Sequence, residues 1–283
     1  MKKFLCILLA VLMVLSCAAC GGSGDTTSEN KSSDRLDAIK ERGYIEVCTE
    51  PYWVPMEFID STKSGDEQYV GVDIELGKCI AEKIGVELKV VPLEFGAVLA
   101  GVADGKYDMA ISALAYSPER EETMTLSDGY YFGAVGYGFL VREEDVDKYT
   151  SIESVKDAVI VTQSGSVQEA LYTMNINGAC KEFKRVSSMN DGYLMVMEGK
   201  ADVCIVDVAS ANLFAEANEG IATTSFLFDV PEEMLGNRIA MPKEGSDALC
   251  EVVNECVAEL LAEDQVNIWY DESAEYATSL GLE

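Results

Sequence analysis

The chain has 283 residues, 48% hydrophobic and 25% charged, with 50 Asp and Glu against 21 Lys and Arg and a formal charge of -29. That length accommodates one large domain or two modest ones, each with its own core, and the apolar content excludes wholesale disorder. The acidic excess excludes nucleic acid and anionic lipid surfaces as electrostatic partners, because it repels both; it reads as solubilising charge rather than a dedicated cation-binding face.

Lys2 and Lys3 precede an apolar run over 4–15. A membrane-spanning helix needs about 20 residues, so the run reads as a signal peptide absent from the mature chain. Next comes Ser16-Cys17-Ala18-Ala19-Cys20-Gly21-Gly22, with small residues before cysteine and glycine after it. This resembles a bacterial lipoprotein signal, which implies a diacylglycerol on Cys20. Cys17, in Val14-Leu15-Ser16-Cys17, offers a competing frame. The signal peptide is then 1–19, and 20–33 is a lipidated, polar, patternless tether with a reach of about 20 Å. The expected location is the outer face of the cytoplasmic membrane, held there by lipid alone.

From residue 34 short apolar runs alternate with amphipathic ones, the rhythm of βα units around a mostly parallel sheet. The pattern predicts a helix over 34–42 stopped by Gly43, a strand over 44–48, a helix over 73–84 ending at Gly85, a strand over 86–91, a helix over 96–103 and a strand over 107–112. A second series has strands near 135–141, 158–162, 182–186 and 202–206, with helices near 167–175, 190–198 and 208–217. Gly105-Lys106-Tyr107-Asp108-Met109-Ala110-Ile111 and Gly199-Lys200-Ala201-Asp202-Val203-Cys204-Ile205 share the pattern Gly-Lys-x-Asp-x-x-Ile. Each lies at a helix-to-strand junction, so the echo is taken to mark two similar lobes, although turn chemistry alone also produces such matches. A strand over 237–241 and a helix over 246–263 return to the first lobe. The lobes are expected at 34–134 with 235–283, and at 135–234.

Beyond Cys20 the cysteines are Cys48, Cys79, Cys180, Cys204, Cys250 and Cys256, without a Cys-x-x-Cys pair, and histidine is absent. That argues against zinc, and no metal or cofactor is expected. Cys48, Cys79, Cys204 and Cys256 sit in apolar periodic segments as small hydrophobes. The even count leaves disulfides open.

In open α/β sheets ligands sit beyond the carboxyl ends of the strands, and five such positions stand out. After 44–48 come Glu50, Tyr52 and Trp53 on a proline-stiffened loop, either ligand walls or loop anchors. After 86–91 comes Phe95, a second wall or a core residue. After 107–112 come Ala113, Ala115 and, in a helix opened by Ser117 and Pro118, Arg120. A cation in a first helical turn opposes the helix dipole. A bound carboxylate, or Glu119, Glu121 or Glu122, offsets that cost. After 158–162 come Gln163 and Ser166, the latter in a capping box with Glu169 at an anion-favouring helix start. After 202–206 comes Asp207, an ammonium partner or a helix cap. Together they complement a free α-amino acid.

Several segments carry a resemblance over about 36–272: Leu36-Asp37-Ala38-Ile39-Lys40-Glu41-Arg42-Gly43, Val54-Pro55-Met56-Glu57-Phe58, Val70-Gly71-Val72-Asp73-Ile74-Glu75-Leu76, Ser117-Pro118-Glu119-Arg120, Leu126-Ser127-Asp128-Gly129-Tyr130-Tyr131, Gln163-Ser164-Gly165-Ser166 and Ile239-Ala240-Met241-Pro242-Lys243. In this order they are similar to the family 3 extracellular solute-binding proteins, polar-amino-acid receptors of ABC importers. The resemblance implies a periplasmic-binding-protein-like type II α/β fold: two α/β lobes joined by two crossover hinge strands, near 131–136 and 233–236. It implies that Arg120, with the Ser166 backbone, clamps the ligand carboxylate, and that Asp207, with the Ala113 carbonyl, takes its ammonium. Trp53 and Phe95 occupy stacking positions and Glu50 an acidic side-chain contact, which favours a cationic or amide side chain.

Two positions depart from the family pattern. Ala115 stands where a ligand-contacting Ser or Thr is common, and Met56 where Phe is usual. The implied partners are a free, polar L-amino acid and the permease subunits of an ABC transporter, with the protein a monomer and not an enzyme. The same fold also hosts cyclohexadienyl dehydratases; without histidine, Glu50 is the sole candidate acid or base for such chemistry. Sensor and transglycosylase relatives carry a further domain or membrane helix, and neither version is expected here.

Overall fold

The computed structural model describes residues 34–133, 136–231 and 234–282. The expected signal peptide, Cys20 and tether lie outside the described residues, as do 134–135 and 232–233, within the two expected crossovers.

Helix α1 (Arg35–Arg42) starts at Asp34, whose side chain accepts from the Leu36 N–H, and ends at Gly43, whose left-handed backbone returns its N–H to the Ile39 carbonyl. Then follow β1 (Tyr44–Thr49), a hairpin of β2 (Phe58–Ile59) and β3 (Tyr69–Val70), α2 (Val72–Ile84), β4 (Glu87–Pro92), α3 (Phe95–Ala103), β5 (Met109–Ala110), α4 (Pro118–Thr123) and β6 (Met124–Leu126). The second series is β7 (Tyr137–Arg142), β8 (Val159–Gln163), α5 (Val167–Asn175), β9 (Glu182–Val186), α6 (Met189–Met197), β10 (Val203–Asp207), α7 (Val208–Ala217) and β11 (Ile221–Leu227). The chain ends with β12 (Ala240–Pro242), α8 (Asp247–Ala262) and α9 (Gln265–Ser279).

These strands make two five-stranded sheets, ordered β4-β1-β5-β12-β6 and β11-β7-β10-β8-β9, each the centre of an α/β lobe. The expectation of mostly parallel sheets needs correction. In the first, β1 is parallel to β4 and β5, but β12 is antiparallel to β5 and β6. In the second, β8 is parallel to β9 and β10, but β7 is antiparallel to β10 and β11. Parallel pairs need a helical crossover. Strands β12 and β7 enter their sheets from elsewhere in the chain, so they run the other way. The strand expected over 107–112 shortens to two residues, and β6, β11 and α9 were not foreseen.

Strand alternation feeds an apolar layer on each face of each sheet. Ile45, Val47, Met109, Ile111 and Met241 pack with Ile39, Leu76, Ile80, Leu249 and Val253 from α1, α2 and α8, while Cys48 and Ala110 face Phe95, Val98 and Val102 around α3. Likewise Phe139, Ile160 and Ile205 meet Leu171 of α5, and Leu140, Val161 and Val206 meet Val196 of α6. Each Val, Leu, Ile, Phe or Met among them contributes about 1.5–3 kcal/mol on full burial. The six cysteines among the described residues are free thiols, and Cys48, Cys204 and Cys256 are fully buried.

The Gly-Lys-x-Asp echo proves to be a repeated structural clasp. Asp108 accepts from the Glu46 N–H at 2.8 Å and pairs with Arg35 at 3.1 Å and with Arg42. Asp202 accepts from the Val159 N–H at 2.8 Å and pairs with Arg142 at 3.2 Å. Both glycines have φ of 71°, which lets the helix end turn straight into the strand. In each lobe one carboxylate therefore ties the entering strand to its neighbour.

Candidate functional site

A cavity of about 110 Å³ lies between the carboxyl ends of β1 and β5 in one sheet and β8 and β10 in the other. One water needs only about 10–15 Å³, so the space suits a small molecule. Nine of the ten residues singled out from the sequence line it: Glu50, Trp53, Phe95, Ala113, Ala115, Arg120, Gln163, Ser166 and Asp207. Tyr52 does not. It is 60% exposed and lines a separate apolar cleft with Met189, Tyr193 and Phe214; its backbone turns at Glu50–Tyr52 so that Trp53 alone faces inward.

Arg120 occupies the first turn of α4, where Ser117 Oγ accepts from its N–H at 3.2 Å and Pro118 opens the helix. It is only 6% exposed. Its guanidinium donates to the Ala115 carbonyl and, across the cavity, to the Gly165 carbonyl at 2.9 Å, and sits 5.6 Å from the Phe95 ring centre. Burial pushes it down to about 10. The alternative of a local ion pair fails: Glu121 accepts from Tyr116 instead, and among the described residues no carboxylate lies within ion-pairing distance of Arg120. A buried cation without a counter-ion is costly.

The partner helix start forms half of the predicted capping box: Ser166 caps the helix, but the Glu169 carboxylate reaches the N–H of Gly165, one residue before the cap. Ser166 Oγ accepts from the Glu169 N–H at 3.2 Å, and Glu169 accepts from the Gly165 N–H at 2.6 Å. The Ser166 hydroxyl also donates to the Gln163 carbonyl at 2.7 Å, so its capacity is used locally. Asp207 caps α7, its Oδ1 accepting from both the N–H and the hydroxyl of Ser210 at 2.9 Å. Burial holds its carboxyl above the usual range. The helix cap is present, and the same residue lines the cavity.

Glu50 is buried at the end of β1, its N–H donating to Ser112 Oγ at 3.0 Å. Its carboxylate accepts from the Gln163 amide, 3.0 Å to each oxygen. Burial raises it, and the Gln163 bonds partly oppose that. Phe95 serves as both wall and core residue, and Trp53 packs against core residues of both lobes.

Sequence reasoning missed Glu57, Ser112, Tyr131, Tyr137, Asn237 and Tyr270 in the lining. Glu57 lies inside a segment the resemblance had quoted. Tyr270, which stacks on Tyr131 with ring centres 4.9 Å apart, rides on α9, an element the sequence did not reveal.

Residues 45–272 match the family described as bacterial extracellular solute-binding proteins, family 3. An arginine-binding extracellular protein of Bacillus subtilis is 28% identical over 60% of this chain, which spans 58% of that protein's length. A probable histidine-binding protein of Campylobacter jejuni is 26% identical over 92% of this chain and 93% of its own. Among solved structures, an amino acid ABC transporter substrate-binding protein from Streptococcus pneumoniae bound to L-arginine superposes with a TM-score of 0.76 at 28% identity, covering 86% of this chain and 98% of that one. A cyclohexadienyl dehydratase of Pseudomonas aeruginosa is also similar, 24% identical over 72% of both chains.

Proposed function

The chain belongs to the bacterial extracellular solute-binding proteins, family 3, and from that premise we propose that it captures a free, polar L-amino acid between its lobes for an ABC importer. The observation that carries this reading is Arg120, a buried guanidinium held by two carbonyls and by no carboxylate among the described residues. An α-carboxylate supplies the missing charge through a charge-assisted, bidentate contact. Asp207 and the Ala113 carbonyl take the ammonium, and Glu50 with Gln163 meets the far end of the side chain, favouring a cationic or amide group. Trp53 and Phe95 flank it.

The lobes are assigned as 34–134 with 235–283, and 135–234, closing about the two crossovers. Cys20 carries the lipid that holds this monomer at the membrane. The function is binding rather than turnover: Glu50, the candidate acid or base for dehydratase chemistry, has both oxygens engaged by Gln163.

A melting-temperature screen of the common amino acids tests the proposal. Ligand at about 100 times its dissociation constant adds about 2.7 kcal/mol, and affinity is expected to be micromolar or tighter, about 8 kcal/mol. No shift with any amino acid, an undiminished shift in Arg120→Ala, or turnover of prephenate or arogenate overturns it.

A further inference from the structure

Glu57 lies on the cavity wall and is 1% exposed. Its Oε1 accepts from Ser112 Oγ at 2.8 Å, while Oε2 is buried and accepts from no N–H or O–H donor among the described residues. Asp73 is held beside it from two sides. The Asp73 N–H donates to the carbonyl of Met56, the residue before Glu57, at 2.9 Å, and Asp73 Oδ2 accepts from the N–H of Ala113, the residue after Ser112, at 2.7 Å. The close approach depends on Gly71, where a Cβ would meet the Met56 oxygen at 2.4 Å. Asp73 Oδ1 accepts from Tyr130 OH at 2.7 Å.

Two fully buried carboxyls thus sit together, and no Lys or Arg pairs with either among the described residues. The other titratable groups of this surround are Glu50 after β1 and Tyr130 before the first crossover. Asp207, Tyr131, Tyr137, Tyr270 and Arg120 complete the cavity lining. Adjacent buried carboxyls cannot both ionise without a large penalty.

We propose that Glu57 is a positioning residue of the ligand site, a neutral carboxylic acid beside an ionised Asp73, which together hold the Ser112–Ala113 turn against the ligand's ammonium. Ala113 has a φ of 46°, a left-handed backbone that costs a non-glycine residue about 1 kcal/mol or more and persists only where its surroundings impose it. Asp73 anchors its N–H, and Glu57 anchors Ser112 next to it. Burial, and then the Asp73 charge, raise Glu57 well above the ordinary carboxylate range, while burial raises Asp73 to about 6. Asp73 accepts from two donors, the Ala113 N–H and the Tyr130 hydroxyl, and Glu57 from Ser112 alone, so the proton that the pair keeps belongs to Glu57. The ammonium contact rests on the amino-acid reading above; the proton on Glu57 does not.

The test uses the mature protein with Glu57→Gln and Glu57→Leu, titrated calorimetrically with L-arginine and L-glutamine and melted without ligand from pH 5 to 9. Glu57→Gln, a neutral isostere, is expected to keep the dissociation constant within about threefold, and Glu57→Leu to weaken it about tenfold, roughly 1.4 kcal/mol. If Glu57→Leu does not fold, Ser112→Ala cuts the same link from its other end. Without ligand, the folded wild type binds more protons than the unfolded chain above the unfolded carboxylate range, so its melting temperature falls as pH rises. Glu57→Gln is expected to make that fall shallower, the remainder coming from Glu50, Asp73 and Asp207, whose carboxyls burial also raises. Binding weakened equally in Gln and Leu, full binding in Leu, or parallel melting curves for wild type and Gln would overturn the proposal. A wild type that binds neither probe counts against the ligand reading and leaves the melting curves to decide the state of Glu57.

Discussion

The Gln163 side-chain amide, at the end of β8, donates to both carboxylate oxygens of Glu50, at the end of β1, so the two lobes meet through one buried amide and one buried acid. The same nitrogen also donates to the Ser187 carbonyl at 2.9 Å, which fixes its aim. The bond offsets part of the cost of burying the Glu50 carboxyl, and both residues line the cavity.

Gln163→Leu leaves the buried Glu50 carboxylate without its side-chain donor. The expected loss is about 1–3 kcal/mol, seen as a lower melting temperature at pH 8. Burial raises Glu50 in the folded state, so its cost appears only above the unfolded carboxylate range and disappears once the acid is protonated in both states. The loss in Gln163→Leu should therefore shrink towards pH 4; a loss that is constant with pH rules this account out.

Arg120→Lys keeps a charge but not the planar fork that bonds the Ala115 and Gly165 carbonyls together. Because Lys cannot reproduce a bidentate clamp, affinity for an amino acid should fall about tenfold or more, and Arg120→Ala should lower it at least about a hundredfold, since leaving one member of a buried charge pair alone costs about 3–5 kcal/mol. Calorimetric titration measures both.

The two clasps should differ in strength. Asp108 is fully buried beneath Arg35 and Arg42, whereas Asp202 is 29% exposed beside Arg142. Asp108→Ala is expected to cost about 3 kcal/mol or more and Asp202→Ala about 1–2 kcal/mol. Urea unfolding decides between this order and its reverse.

Helix α9 is tied to the first lobe by Tyr276, whose hydroxyl donates to Asp60 Oδ2 at 2.5 Å. Bonds from Thr62 and Tyr276 hold the Asp60 carboxyl below its usual range. A depressed carboxylate contributes stability above its unfolded pKa and loses it as pH falls through the folded value. Tyr276→Phe should lower the melting temperature at pH 7, and the deficit should narrow in strong acid. An equal deficit at both pH values would show that the hydroxyl does not act through the Asp60 charge.

Local chemistry was legible wherever a cap or a period carried it. Asp34, Ser117 and Ser166 begin helices as their residue types dictate, because capping involves only neighbours in the chain. The apolar run through Ile45, Val47 and Cys48 marked a strand, and the structure buries Ile45 and Val47 on one face and Cys48 on the other. Strands β6 and β11 and helix α9 escaped notice because their polar residues hide the period, and because what buries their apolar ones lies far away in sequence.

The sequence by itself determined the order of βα units, the caps, and the residue types able to meet a zwitterion. Only the tertiary structure decided which of them face one cavity. Tyr52 and Trp53 are neighbours with similar side chains, yet one lies in solvent and the other between the lobes. The Arg120 charge was always evident, but its burial without a carboxylate depends on Phe95 and on Gly165 from the other lobe. Glu57 passed as part of a motif until Asp73 and Ser112 were seen to close around it. Burial and pairing are set by long-range packing, and they decide the charge a group carries and whether it has a partner to meet.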